Sequence, residues 1–359
     1  MDPVSLNELR PAMNLITEPA TQLGDLVCGL QDLSLKDGHG KTDAGHLFPE
    51  ILCTIFSFAF DCVGNGFAML PKIRTQSSQL SLRDKTSCSM VCKHWRDAAV
   101  PMLYEHVVLH CGWQLSIFLR TLNSQSDSFN YRRLVKSLDV DLDAGYDRGV
   151  DCDQILEDIL SVCPNLAEMA YNPSPNSGAV RVMKRLDPSL LTCLWLGDSM
   201  RSESSPDLFH FLQELPKLEV LSMHYYSMSE YEGLSLRLPH VTTLSLICRS
   251  WSAPTCALST PSLTQLSITF SGPFHTPRHR VRREIHKITV AIGHALRFLD
   301  IDCHWDSGGT PGPFDLKTLE PCQELRHLVI RSVSSFVGTH PNLRFIDVWR
   351  VGNCSTISR

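Results

Sequence analysis

The densest run of side chains able to do chemistry is His275-Thr-Pro-Arg278-His279-Arg280-Val-Arg282-Arg283-Glu-Ile-His286-Lys287, the only basic cluster in the chain. Several guanidinium groups can share one phosphate, so Arg280, Arg282 and Arg283 are candidates for gripping a phosphorylated or acidic segment. The alternative, which the composition favours, is a solvated loop insertion. His275 and His279 are four residues apart, as are Cys88 and Cys92, but neither pair has a second pair nearby to complete a tetrahedral site. No metal is expected, and Cys92 is better used in packing. There is no P-loop, dinucleotide fingerprint or Gly-x-Ser-x-Gly elbow, and the spacing of Ser, His and Asp marks no triad. No catalytic residue and no cofactor are therefore assigned.

Such side chains need a scaffold, and composition bounds it. The chain has 359 residues, 43% of them apolar and 20% charged, which is ordinary for a globular protein with one large core or two modest ones. Of the formal net charge of -5, four units lie in residues 1 to 45, where seven Asp or Glu face three Lys or Arg. The near-neutral remainder argues against a broad nucleic-acid or membrane-binding surface. Fourteen cysteines scattered singly, without CxxC spacing, read as free thiols in a reducing compartment, so a cytoplasmic or nuclear location is expected. The polar N-terminus does not read as a secretory signal, and the apolar stretch 51 to 70 is interrupted by Asp61, Gly64, Asn65 and Gly66, so no membrane span is expected.

Residues 1–45 read as a flexible leader ending in a Gly-rich, charged run. Over 46–109 the period is helical. Leu47, Ile51, Leu52, Ile55, Phe56 and Ala59 make one stripe, with Pro49 in the first turn, where its missing N–H costs nothing. After a polar break, a second helical region from Leu82 to Ala99 spaces Met90, Val91, Trp95 and Ala98 to face a partner. Helices this short cannot close a large core alone, so the module must lean on something or bind something.

Residues 110–359 repeat the pattern Leu-x-x-Leu-x-Leu with substitutions. Nine units start at Val135, Leu166, Leu191, Leu218, Val241, Leu263, Leu296, Leu325 and Leu343, at intervals of 31, 25, 27, 23, 22, 33, 29 and 18 residues. Proline turns such as Cys163-Pro-Asn, Leu215-Pro-Lys and His340-Pro-Asn precede several units and set the corner before each strand. Alternation within each unit predicts a strand with its leucines turned inward, and parallel stacking would bury a ladder that no single repeat can bury.

On these residues the chain resembles an F-box protein with C-terminal leucine-rich repeats, of a kind common in fungi. The resemblance rests on Leu47, Pro49, Glu50, Ile51, Leu52, Ile55 and Phe56, then on Leu82, Val91, Cys92, Trp95 and the tail Leu103 to Leu109. A connection from Asp61 to Ser81 is longer than a compact F-box needs. The resemblance implies an α/β architecture: a short helical F-box followed by an irregular leucine-rich-repeat solenoid, with parallel strands and with helices or loops on the convex side. It also implies that Leu47, Pro49, Glu50, Ile51, Leu52, Ile55, Val91 and Trp95 bind a Skp-type adaptor, and through it a cullin.

The non-inward strand positions are where a protein substrate would be read: Asp139, Asp141, Trp195, His224, Asp300, Asp302, His304, Arg331, Asp347 and Trp349. The expected function is that of a non-catalytic substrate receptor of a cullin-RING ubiquitin ligase. The alternative is a repeat scaffold for protein–protein interaction without ubiquitination.

Overall fold

The computed structural model describes residues 49–61, 85–124, 130–142, 151–174, 177–197, 206–225, 235–248, 257–270, 278–303, 313–331, 335–350 and 353–354. The leader, Leu47, His275, His304 and all but the first residue of the 61–81 connection lie outside these residues. So do the side chains of Pro49, Arg280 and Trp349. The chain forms two compact units, Met1–Glu105 and His106–Arg359. The division falls four residues ahead of the one expected from sequence, because His106–Leu109 is a strand of the second unit.

In the first unit, α1 (Pro49–Asp61) packs against α2 (Lys93–Glu105), and residues 85–89 are helical between them. Leu52, Phe56, Ala98, Ala99 and Met102 form its core, with Cys53, Ile55, Cys88 and Trp95 packed against it. The small Ala98–Ala99 pair lets the helices approach closely, and Phe56 meets Trp95 edge-on with ring centroids 5.3 Å apart.

The second unit is built on one sheet. Its strands are β1 (His106–Leu109), β2 (Ser137–Asp141), β3 (Glu168–Asn172), β4 (Cys193–Leu196), β5 (Val220–Tyr225), β7 (Thr243–Cys248), β9 (Gln265–Phe270), β10 (Phe298–Cys303), β12 (His327–Arg331) and β14 (Phe345–Arg350). All ten are parallel and lie in chain order, and β15 (Asn353–Cys354) adds an antiparallel edge. This is the expected α/β leucine-rich-repeat solenoid, with one strand more than the nine repeats counted from sequence. The additional strand is β1, whose Val107 and Leu109 stand in register with Leu138 and Val140. The inward rows are closed: Leu138, Met169, Leu194, Leu221, Leu266, Leu299 and Leu328 have no exposed surface. Burying such a side chain contributes about 1.5–3 kcal/mol.

Repeat spacing decides what crosses behind the sheet. The longer N-terminal repeats carry α3 (Gly112–Asn123), α4 (Tyr131–Leu134), α5 (Cys152–Val162), α6 (Ala179–Met183) and α7 (Pro206–Gln213). Where the interval falls to 23 and 22 residues there is room only for the short strands β6 (Ser235–Arg237) and β8 (Ala257–Ser259), which pair with each other. The 33-residue interval holds α8 (Arg278–Ile292). That helix corrects the sequence reading of the basic run as a loop: Val281, Ile285, Ile288 and Ile292 form a buried stripe at helical spacing within it. Beyond it, β11 (Phe314–Asp315) pairs with β13 (Phe336–Val337), and a 3-10 turn spans Leu316–Leu319. Gly293 ends α8 under compulsion, since a Cβ there would sit 2.2 Å from the Thr289 carbonyl oxygen and 2.7 Å from Cys322 Sγ.

At the start of each of the eight parallel strands from β2 to β12 one carbonyl accepts two N–H groups from the following repeat. Lys136 receives Ala167 and Glu168, Ala167 receives Thr192 and Cys193, and the pattern runs on to Arg326, which receives Arg344 and Phe345. Thr192, Thr242 and Thr264 add their hydroxyls to the same carbonyls. This rim fixes the register of the parallel strands from β2 to β14.

Candidate binding surfaces

In the helical unit the apolar residues of the F-box-like signature divide between two roles. Leu52 is 1% exposed and belongs to the interior, while Ile55 and Trp95 are half-buried against the core. Ile51, Met90 and Val91 are exposed at 46%, 79% and 60%, and Glu50 is exposed too. Leu52 therefore holds α1 to α2, and Ile51, Met90 and Val91 are what a partner can reach. Met90 is absent from the set carried over by resemblance, although its helical spacing with Val91, Trp95 and Ala98 marks it in the sequence as facing a partner. Cys88 leans on the core and Cys92 is exposed, so the two do not converge.

On the sheet, the side chains opposite the leucine ladder fall into rows set by the register. Along the first row, His106 shares a hydrogen bond with Ser137, Nδ1 to Oγ 2.7 Å. Asn172 donates to Asp141 at 2.9 Å and fills the space beside Gly197, where a Cβ would meet its Oδ1 at 2.2 Å. Asp139 and Asp141 are half-buried. Trp195 is half-buried between Ala170 and Ser222 in register, two small neighbours that leave room for an indole. Ser222, Ser245 and Ser267 continue that row, all buried, and His224 is half-buried beside Ile247.

The last three parallel strands of the main sheet, β10, β12 and β14, carry the most chemistry. Asp300 and Asp302, expected to be open to a substrate, are 5% and 8% exposed, because Arg331 on the next strand pairs with both. Burial pushes the Asp300 carboxyl above its ordinary range; the Arg331 charge and hydrogen bond oppose this, and Asp302 adds to it. Ahead of them Phe298, His327 and Phe345 stand side by side, with centroids 5.0 Å and 5.8 Å apart, and His327 Nε2 lies 2.8 Å from Asp347 Oδ2. Phe345 is 61% exposed. None of these three rings was singled out from sequence; the signal was an aromatic or His at the first position of three successive strands.

Among the described residues, the basic side chains of α8 do not form one cluster. Arg282 donates to the Pro313 carbonyl, His286 Nδ1 lies 3.2 Å from the Thr318 carbonyl oxygen, Lys287 pairs with the buried Glu284, and Arg283 is exposed. Arg282 and His286 thus tie the helix to the next repeat. Among the described residues no helix is long and apolar enough to cross a membrane.

No family model matches the chain, and no curated protein does. Among solved structures, it is similar to the leucine-rich repeat-containing protein LegL7 from Legionella pneumophila. That match has 14% identity and a TM-score of 0.39 and covers 70% of this chain and 92% of that one. A protein from Bacteroides fragilis is similar over 65% of this chain and 74% of its own, at 12% identity and a TM-score of 0.29. The fold described above rests on strand order and register.

Proposed function

We propose that the chain is a substrate-binding subunit of an SCF-type cullin-RING ubiquitin ligase, its helical unit docking on a Skp-type adaptor and its repeat sheet holding a protein substrate. The observation that carries this reading is the division of labour in the helical unit. Its core is already closed by Leu52, Phe56, Ala98, Ala99 and Met102, yet Ile51, Met90 and Val91 stay exposed. Exposed apolar side chains on a small unit with a completed core are suited to a helix-in-groove interaction. The repeat sheet supports the second half of the reading, since a long parallel sheet displays rows of side chains at fixed spacing to an extended partner. In this role the chain transfers nothing itself; it raises the local concentration of a substrate lysine near the conjugating enzyme.

Co-expression with a Skp-type adaptor followed by size-exclusion chromatography tests this. A stoichiometric complex is expected, lost in an Ile51→Asp, Val91→Asp double variant that keeps its native circular dichroism. A folded chain that never binds adaptor would leave the repeat scaffold. Adaptor bound without a cullin would favour a scaffold that borrows the adaptor alone.

A further inference from the structure

The rim that fixes the strand register changes character at its C-terminal end. Its positions run Lys136, Ala167, Thr192, Glu219, Thr242, Thr264, then Arg297, Arg326 and Arg344, each bonded through its backbone to the next. The three arginines thus stand one residue ahead of consecutive strands, spaced about 4.8 Å from one to the next. All three are exposed. Among the described residues Arg326 and Arg344 make no side-chain hydrogen bond or ion pair, while Arg297 meets Glu324 at 3.4 Å, a pair open to water on both sides. Each arginine is followed immediately by a ring: Arg297-Phe298, Arg326-His327 and Arg344-Phe345. One cation and one ring therefore recur on three strands in register.

We propose that this arginine rim and the ring row beside it bind an extended acidic segment of a partner protein in which carboxylate and apolar side chains alternate. The proposal rests on the reading that the repeat domain holds a protein, and names the class of sequence it takes. Alternate side chains of an extended peptide point to opposite sides, with residues i and i+2 about 6.6 Å apart. The three arginines span about 10 Å, so two successive carboxylates fall on the row while the residue between them lies over the rings. Guanidinium forks take carboxylates two-pronged, and Glu324 already lies against one of them. A long polyanion fits less well, because Asp300 and Asp347 follow three residues beyond Arg297 and Arg344, and Asp302 five beyond Arg297.

Fluorescence anisotropy on the full chain tests this with a short labelled peptide alternating Glu and Phe. Comparison probes carry Lys, Ser or phosphoserine in place of Glu, and a thymidine oligonucleotide completes the set. The Glu peptide is expected to bind and the Lys peptide not. An Arg326→Ala, Arg344→Ala variant weakens binding by about tenfold, as loss of two exposed ion pairs would. Phe345→Ala also weakens it, and Arg120→Ala, an exposed change on α3, leaves it alone. All these positions are exposed, so circular dichroism melts should match the native chain. Equal binding to the double-arginine variant, or none to the Glu peptide, overturns the proposal. So does a requirement for phosphoserine, which would make the rim a phosphate reader, or tighter binding of the oligonucleotide. An adaptor complex without peptide binding would sink this inference alone; peptide binding without an adaptor complex would sink only the ligase reading.

Discussion

Arg331 reaches back from β12 to Asp300 on β10, its Nη2 lying 3.1 Å from Asp300 Oδ2, and closes over a carboxylate that is 5% exposed. Removing one partner of a buried pair leaves an uncompensated charge. Arg331→Ala is therefore expected to cost about 2–4 kcal/mol, less than a fully buried pair because the guanidinium keeps some contact with water. Urea unfolding checks this, and a midpoint unchanged from the native chain would show that the pair contributes nothing.

The same carboxyl gives a pH dependence with a definite sign. Burial raises the folded-state pKa of Asp300 above its ordinary value, so the folded chain binds more protons than the unfolded one across the interval between the two. The contribution of this group is present at low pH and lost as pH rises through the raised value. Unfolding free energy measured against pH should lose that falling component in Asp300→Asn, and superimposable profiles would contradict the assignment.

Within the helical unit, neighbouring residues should behave oppositely. Leu52→Ala opens a cavity in a closed core and is expected to cost about 2–5 kcal/mol, seen as a lower thermal midpoint. Met90→Asp changes an exposed side chain and should leave stability within about 0.5 kcal/mol while weakening adaptor binding. If Met90→Asp unfolds the unit, the side chain is structural and the docking assignment for it fails.

Gly293 provides a backbone test. Gly293→Ala drives a methyl group into the Thr289 carbonyl and toward Cys322 Sγ, so a loss of about 1–3 kcal/mol is expected in chemical denaturation. Neutral behaviour would mean that α8 can end differently.

Thiol labelling probes the interior. Burial pushes Cys163, Cys248 and Cys322 up to about 12. Few of these thiols are ionised near neutrality, and a brief alkylation pulse read by peptide mass spectrometry should leave them unmodified while labelling the exposed Cys92. Rapid labelling of Cys248 would indicate that the repeat opens locally.

The inward ladder was legible in the sequence because Leu-x-x-Leu-x-Leu imposes a two-residue alternation that survives substitution by Val, Ile or Met. β1 escaped the count because its first ladder position, ahead of Val107 and Leu109, is taken by Tyr104. The helix over Arg278–Ile292 was hidden by its charged residues, although the spacing of Val281, Ile285, Ile288 and Ile292 carried the signal. Asp300 and Asp302 were rightly placed off the ladder, but their burial depends on Arg331 one strand away, a contact that register alone reveals. Leu52 and Ile51 are adjacent and similar in type, and only the packing of α1 against Ala98 and Ala99 shows which faces out.

The doubly accepting carbonyls of the rim tie each repeat only to its immediate neighbours, like links of a chain. Strain or thermal loosening at one repeat therefore passes along the sheet one neighbour at a time. The terminal repeats, each tied into the rim through one neighbour, should fray first and the middle of the array last. A partner seated across Arg297, Arg326 and Arg344 would staple three links together and stiffen the C-terminal end of the array.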